Sequence, residues 1–154
     1  MLLEKFWVEV LISNIVALIL LLAAIYRPRT ARILFSLLFV WAAFTNWFTV
    51  HTKPQVYQEY ESMALLPFYK NFIKGFFEEH SVLLVSFVAV SQLLIGISML
   101  MKGWVFRLGC AGGIIFLLAI LPLGVGSGFP CTLIMAVGLF ILMKKNKNRF
   151  IWEK

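Results

Sequence analysis

The sequence predicts an all-α integral membrane protein. The expected form is a five-helix transmembrane bundle, N-terminus out and C-terminus in, with an amphipathic interfacial segment between its second and third spans. Three observations predict it. The 154-residue chain is 62% hydrophobic and only 14% charged, and its mean hydropathy is +0.93. A soluble domain is about half apolar and a quarter charged, and a chain this short has too little interior to hide the excess. Apolar runs of about 20 residues, enough to cross a hydrocarbon core of roughly 30 Å, recur between short basic clusters. The net charge of +7 sits in those clusters; that is how topology is encoded, and it argues against a nucleic-acid partner.

The first span, 7–26, follows a start (MLLEKF) in which Glu4, joined by Glu9, outweighs Lys5. This is a poor n-region for a cleaved signal peptide, so the span is read as retained. Glu9 and Asn14 are polar marks near its beginning, and Arg27, Pro28, Arg29 and Arg32 form a basic turn after it. The second span, 33–50, ends in Phe44, Trp47 and Phe48, aromatics suited to a membrane interface. His51 and Lys53 then leave the hydrocarbon. The connection 52–81 reads as an extracytoplasmic lid, with Pro54 and Pro67 each opening a short helix. The second of these places Phe68, Phe72, Ile73, Phe76 and Phe77 on one side. Lys70, Asn71, Lys74 and Glu78 fall on the other, the pattern of a helix lying in the interface plane.

The third span, 82–101, carries Gln92 halfway along and ends at Lys102, Gly103, Trp104 and Arg107. From Leu108 to Met143 there follow 36 residues without a charge. A single helix of that length would reach about 54 Å, nearly twice what a bilayer needs. Pro122, Gly124, Gly126, Gly128 and Pro130 supply the break, giving spans 108–121 and 128–143 around a hairpin (LGVGSGFP) and a basic cytoplasmic tail, 144–154. With five spans, ten basic residues lie inside: Arg27, Arg29, Arg32, Lys102, Arg107, Lys144, Lys145, Lys147, Arg149 and Lys154. Four lie outside: Lys5, Lys53, Lys70 and Lys74. Removing the last crossing inverts the bias to five against nine. The positive-inside rule thus selects five spans and places the chain as a multi-pass protein of the inner (cytoplasmic) membrane.

This topology puts both histidines and six of the seven acids on the outer face. The candidate ligand-binding set is Asn14, Asn46, Trp47, His51, Tyr57, Tyr60 and Gln92. Gln92 shares a helix face with Ala89 and Gly96, so its amide must face the bundle, where hydrogen bonding to Asn14 or Asn46 is the plainer role and a ligand head group the sharper one. Asn46, Trp47 and His51 stand within a turn and a half, suited to a polar head group or simply to a wetted helix end. Tyr57, Tyr60 and Tyr69 belong to the lid. The catalytic alternative is His51 with Glu59. Glu78, Glu79 and His80 are adjacent and point apart, so no metal site is expected. Cys110 and Cys131 fall at opposite membrane faces, too far apart for a disulfide. Gly109 and Gly113 form a GxxxG that packs within the bundle or pairs two copies.

The succession VAVSQLLIGISMLMKGWVFRLG, GGIIFLLAI and LPLGVGSGF before a last Leu-rich helix resembles DoxX-like membrane proteins over about the last half of the chain. In that family a helix of the form L-x-E-L-x-x-G-x-x-L-x-x-G, a basic turn, a helix and a Gly/Phe turn follow in this order. The resemblance makes the second span the family's first helix and 7–26 an addition. It implies a subunit of quinone-linked thiosulfate oxidation or a protein of unassigned activity. Gln92 stands where the family often carries an acid, which removes any proton transfer by a carboxylate at that place. The expected role is an accessory or binding subunit holding a lipid- or quinone-like ligand in an outward-facing cavity. The alternative is a quinone-linked oxidoreductase subunit, or a membrane lipid isomerase using outer-face His and Glu. Membrane lipids, and a membrane-protein partner or second copy, are the expected company; no cofactor is required by the sequence, though a quinone would fit.

Overall fold

The computed structural model describes residues 2–145 and 148–153, so Lys147 and Lys154 of the expected tail lie outside the described residues. Every regular element described is helical. The α-helices are α1 Leu2–Tyr26, α2 Pro28–Thr52, α3 Tyr60–Met63, α4 Pro67–Phe72, α5 Glu78–Ser98, α6 Gly103–Ile120 and α7 Cys131–Lys144. Pro54–Glu59 and Leu121–Ser127 are 3₁₀ turns, and Ile73–Phe77 is a π turn. Four helical stretches are long and apolar enough to cross a membrane: Phe6–Tyr26, Pro28–Thr52, Pro67–Ser98 and Gly103–Gly124. The chain is therefore built as a multi-pass membrane protein. The last helix, Cys131–Lys144, is apolar but has 14 residues, about 21 Å of helix against roughly 30 Å of hydrocarbon.

Three boundaries differ from the sequence reading. The basic turn at 27–32 contracts to Arg27 alone (φ −135°, ψ 66°), because Pro28 takes the first position of α2, where its missing N–H leaves nothing unsatisfied. Arg29 and Arg32 are thus helical. The second lid helix has no loop after it: α4 runs on through the π turn to Glu79 and meets the membrane-spanning part of α5 at a kink, His80 (φ −120°, ψ 19°), beside the expected boundary at 81/82. The glycine-rich hairpin winds into a 3₁₀ turn in which Gly124 has φ 63°, a region glycine enters without a Cβ penalty. A Cβ there would lie 2.7 Å from the Met63 carbonyl oxygen, so the hairpin sits tight under the lid, and the Leu65 N–H donates to the Pro122 carbonyl at 2.8 Å.

The long helices close into a ring in which α1 packs on α2 and α7, α2 on α5, α5 on α6, and α6 on α7. Glycines set the close approaches. A Cβ on Gly96 would meet Val40 Cγ2 at 2.8 Å, so α5 lies almost backbone-to-backbone on α2. The GxxxG of α6 is spent inside the chain: Gly109 faces Ser98, and Gly113 faces Leu139. Phe35, Phe39, Met99, Phe106, Cys110, Leu139 and Leu142 form the core, while Leu11, Leu37, Leu83, Leu108 and Ile115 are among the large apolar residues that point outward. Cys110 and Cys131 are buried free thiols.

One end of the ring is fastened by Arg32. Its Nε donates to the Met99 carbonyl at 2.7 Å, one terminal nitrogen to the Arg149 carbonyl at 2.9 Å, and the other to the Met101 carbonyl. The guanidinium carbon stands 4.4 Å from the Phe106 ring centre. Lys145 donates to the Ile25 carbonyl at the same end. Residues 148–153 fold back here: the Ile151 N–H reaches the Leu100 carbonyl at 3.2 Å, and Lys102 lies 4.5 Å from the Phe150 ring and 3.9 Å from Glu153. This is the basic end. The lid covers the other.

Candidate functional site

A cavity of about 540 Å³ occupies the ring beneath the lid. Ile12, Ser13 and Val16 of α1, Leu38, Ala42 and Asn46 of α2, and Val85, Val88 and Gln92 of α5 form part of its wall. Phe116, Leu117 and Ile120 of α6 and Cys131, Thr132 and Met135 of α7 complete it. The roof is Tyr57, Tyr60, Tyr69, Phe72, Ile73 and Phe77. Among the described residues no lining side chain is Asp, Glu, Lys, Arg or His. An apolar chamber with a few convergent neutral polar groups is the usual form of a small-molecule site.

The polar groups are ordered by one chain of hydrogen bonds. The Tyr57 hydroxyl donates to Asn46 Oδ1 at 2.9 Å, and Asn46 Nδ2 donates to Gln92 Oε1 at 2.9 Å. The same hydroxyl lies 3.3 Å from the Asn46 backbone carbonyl. Gln92 is 4% exposed and Tyr57 7%, and an amide or phenol placed so deep needs such partners. The chain ties the lid to α2 and α2 to α5. Burial pushes the Tyr57 hydroxyl up to about 12, with the neighbouring Tyr60 adding to the rise and a hydrogen bond with Thr49 opposing it. Burial, then the charge of Glu59, raises Tyr60 as well. Both phenols are therefore neutral near pH 7. The Tyr69 hydroxyl donates to the Ala119 carbonyl at 2.7 Å and pins the lid to α6.

Of the seven expected ligand-binding residues, Asn46, Tyr57, Tyr60 and Gln92 line this cavity. Asn14 is turned toward the start of α7: its Nδ2 donates to the Val10 carbonyl at 2.8 Å and the Gly128 carbonyl at 3.2 Å. Its Oδ1 has no partner among the described residues. Trp47 and His51 lie together on the exposed side of α2, ring centres 4.6 Å apart. His51 Nδ1 donates back to the Trp47 carbonyl at 2.7 Å. Glu59 is exposed and shares no hydrogen bond with His51 among the described residues. Glu78 accepts from Gln58 at 3.3 Å, and His80 stacks on Phe76 with ring centres 4.4 Å apart. No group of three or more metal-capable side chains occurs among the described residues.

Thr132 and Arg32 escaped the sequence reading. Thr132 lines the cavity, is 2% exposed, and its Oγ1 has no hydrogen-bond partner among the described residues. Its available signal was a lone hydroxyl two positions after Pro130, at the start of an apolar run. Arg32 was read as a topology charge, whereas it is 9% exposed and holds three carbonyls. No protein-family model, curated protein or solved structure matches this chain, so its function is argued from the chemistry of the cavity.

Proposed function

We propose that the chain is a DoxX-like accessory or binding subunit of the inner membrane, holding a lipid- or quinone-like molecule in the cavity under the 52–81 lid. The observation that carries this reading is the chamber of about 540 Å³ with the Tyr57–Asn46–Gln92 chain in its wall. Such a chain is costly to build into lipid unless its groups are paired, and it presents fixed neutral polarity to whatever enters. The proposed topology is five spans with the lid outside. Arg27, Arg29, Lys102, Arg107, Lys144 and Lys145 belong to helix ends or turns at the basic end, which the positive-inside rule assigns to the cytoplasm. The short α7 makes the fifth crossing with Leu121–Ser127 and the roofing lid supplying the missing depth; non-helical backbone is tolerated there because protein surrounds it.

The test is mass spectrometry of organic extracts from protein purified in mild detergent. A stoichiometric apolar molecule is the expected result, reduced by Gln92→Leu. Protein that carries nothing above the level of bulk detergent-solubilised lipid overturns the reading. The enzymatic alternative through His51 and Glu59 draws nothing from this cavity, since neither residue lines it.

A further inference from the structure

We infer that the cavity takes an uncharged lipid, its head a hydroxyl or carbonyl group, and admits it sideways from the bilayer between α1 and α2. The inference rests on the proposed binding role and adds the ligand's charge class and its route. Charge comes first. The cations nearest the roof in sequence, Lys53, Lys70 and Lys74, are exposed and none lines the chamber. A phosphate or carboxylate brought inside would lose its water and find no opposite charge to replace it.

The polar groups left unspent are neutral. The hydrogen-bond chain uses Gln92 Oε1, and the amide nitrogen beyond it has no hydrogen bond among the described residues. The Thr132 hydroxyl, on α7, is buried without a partner. A buried hydroxyl is seldom left unpaired, and this one, with the Gln92 amide nitrogen that the chain leaves unused on another wall, marks where a ligand's oxygen would sit. Tyr57 and Asn46 also tolerate reversal. If Asn46 and Gln92 both turn their amides over, the Tyr57 hydroxyl can accept from Asn46 Nδ2 while donating to the Asn46 backbone carbonyl, 3.3 Å away, and Asn46 Oδ1 accepts from Gln92 Nε2. The far end of the chain then presents Gln92 Oε1 instead of its amide hydrogens, so a hydroxyl head is received as readily as a carbonyl.

The route follows from exposure. Ile12 is 56% exposed, Val16 37% and Trp41 66%, yet all three line the cavity. Side chains that face both the chamber and the lipid mark a gap in the wall, and these lie on α1 and α2. The other exposed lining residues, Phe72 and Ala119, stand where the lid meets α6, and Tyr69 bridges that seam to the Ala119 carbonyl. A chamber of about 540 Å³ is the size of a drug-like ligand. It seats a head and a length of chain, and the rest of a tail must leave past Trp41.

The experiment uses the full chain in phosphatidylcholine vesicles with two photoactivatable probes of identical acyl chains, a diacylglycerol and a phosphatidylglycerol. The diacylglycerol should label the peptides containing Ile12 and Trp41 in a manner competed by unlabelled diacylglycerol, and the phosphatidylglycerol should not. Thr132→Val should lower diacylglycerol retention about fivefold, the worth of one net hydrogen bond. Trp41→Ala should speed loading severalfold and Ala42→Trp should slow it. Trp41 is exposed, so its variant reads the route even where Ala42→Trp fails to fold. Preference for the anionic probe, or loading rates that neither variant changes, overturns this inference and leaves the binding role standing. Retention of neither probe overturns this inference, and the binding role falls with it only where the purified protein also carries no quinone or other apolar molecule.

Discussion

Gln92 is where the lid, α2 and α5 are joined, and its replacement separates packing from polarity. Gln92→Leu keeps the volume near constant but leaves Asn46 Nδ2 without its acceptor, an orphaned donor at a cost of about 1–3 kcal/mol. The loss should appear as a lower unfolding midpoint in mild detergent. Gln92→Glu should lose more, because a carboxylate in this uncharged chamber has no cation beside it. Tyr57 gives a pH-dependent counterpart. Its hydroxyl is raised to about 12 in the folded protein against about 10 in an unfolded chain. The neutral form is thus favoured by folding: this stabilisation is complete below pH 10 and is lost as pH rises through about 12. Ultraviolet titration of the phenols should show a late-ionising class whose loss loosens the lid, and Tyr57→Phe should take one phenol out of that class, leaving Tyr60 in it. A Tyr57→Phe protein with an unchanged titration curve would refute the assignment.

Helix pairs respond to the residues that let them approach. Gly96→Ala puts a methyl 2.8 Å from Val40 Cγ2 and 3.1 Å from the Ser36 carbonyl. The backbone contact has little freedom to yield, so α2 and α5 must part, at about 1–3 kcal/mol. The same change at Gly75, with nothing within 4 Å of the added carbon, should be nearly neutral and serves as the control. At the basic end, Arg32 joins α2 to the α5–α6 turn and to the returning tail. Arg32→Ala should destabilise by about 3 kcal/mol or more, since three carbonyls near the membrane lose a charged donor at once. Arg32→Lys should rescue little, because an ammonium does not reproduce the planar fork that reaches all three. Chemical unfolding of the two variants checks both statements, and full rescue by lysine would count against the clamp.

Across the whole molecule the two ends of the ring differ in kind. One gathers arginines and lysines around a folded-back tail, the other closes a neutral chamber under aromatic side chains. In right-side-out vesicles, a cysteine introduced by Gly75→Cys on the lid should react with a membrane-impermeant thiol reagent. A reporter fused behind Lys154 should be protected. A protected lid cysteine or an outward-facing reporter would reverse the proposed orientation. Much of this was legible in one dimension. Hydropathy and the spacing of Pro and Gly located the helical stretches, since a bilayer tests each segment for itself. The direct junction of the lid helix with α5 at the His80 kink was not legible, because polar residues such as Lys70 and Lys74 look like a surface segment until Phe77 and Ile73 are seen roofing the cavity.

The amino-acid sequence alone determined a helical, multi-pass membrane chain and located the four segments long and apolar enough to cross, since those depend on local composition and length. Only the tertiary structure decided that Asn46, Tyr57, Tyr60 and Gln92 share a chamber while Trp47 and His51 turn away, that Thr132 is left without a partner, and that Arg32 is a clamp. Those outcomes depend on the rotation of each helix about its axis and on which distant neighbour it meets. Near-uniform apolar helices leave that phase unwritten, and close packing at Gly96, Gly109 and Gly113 sets it.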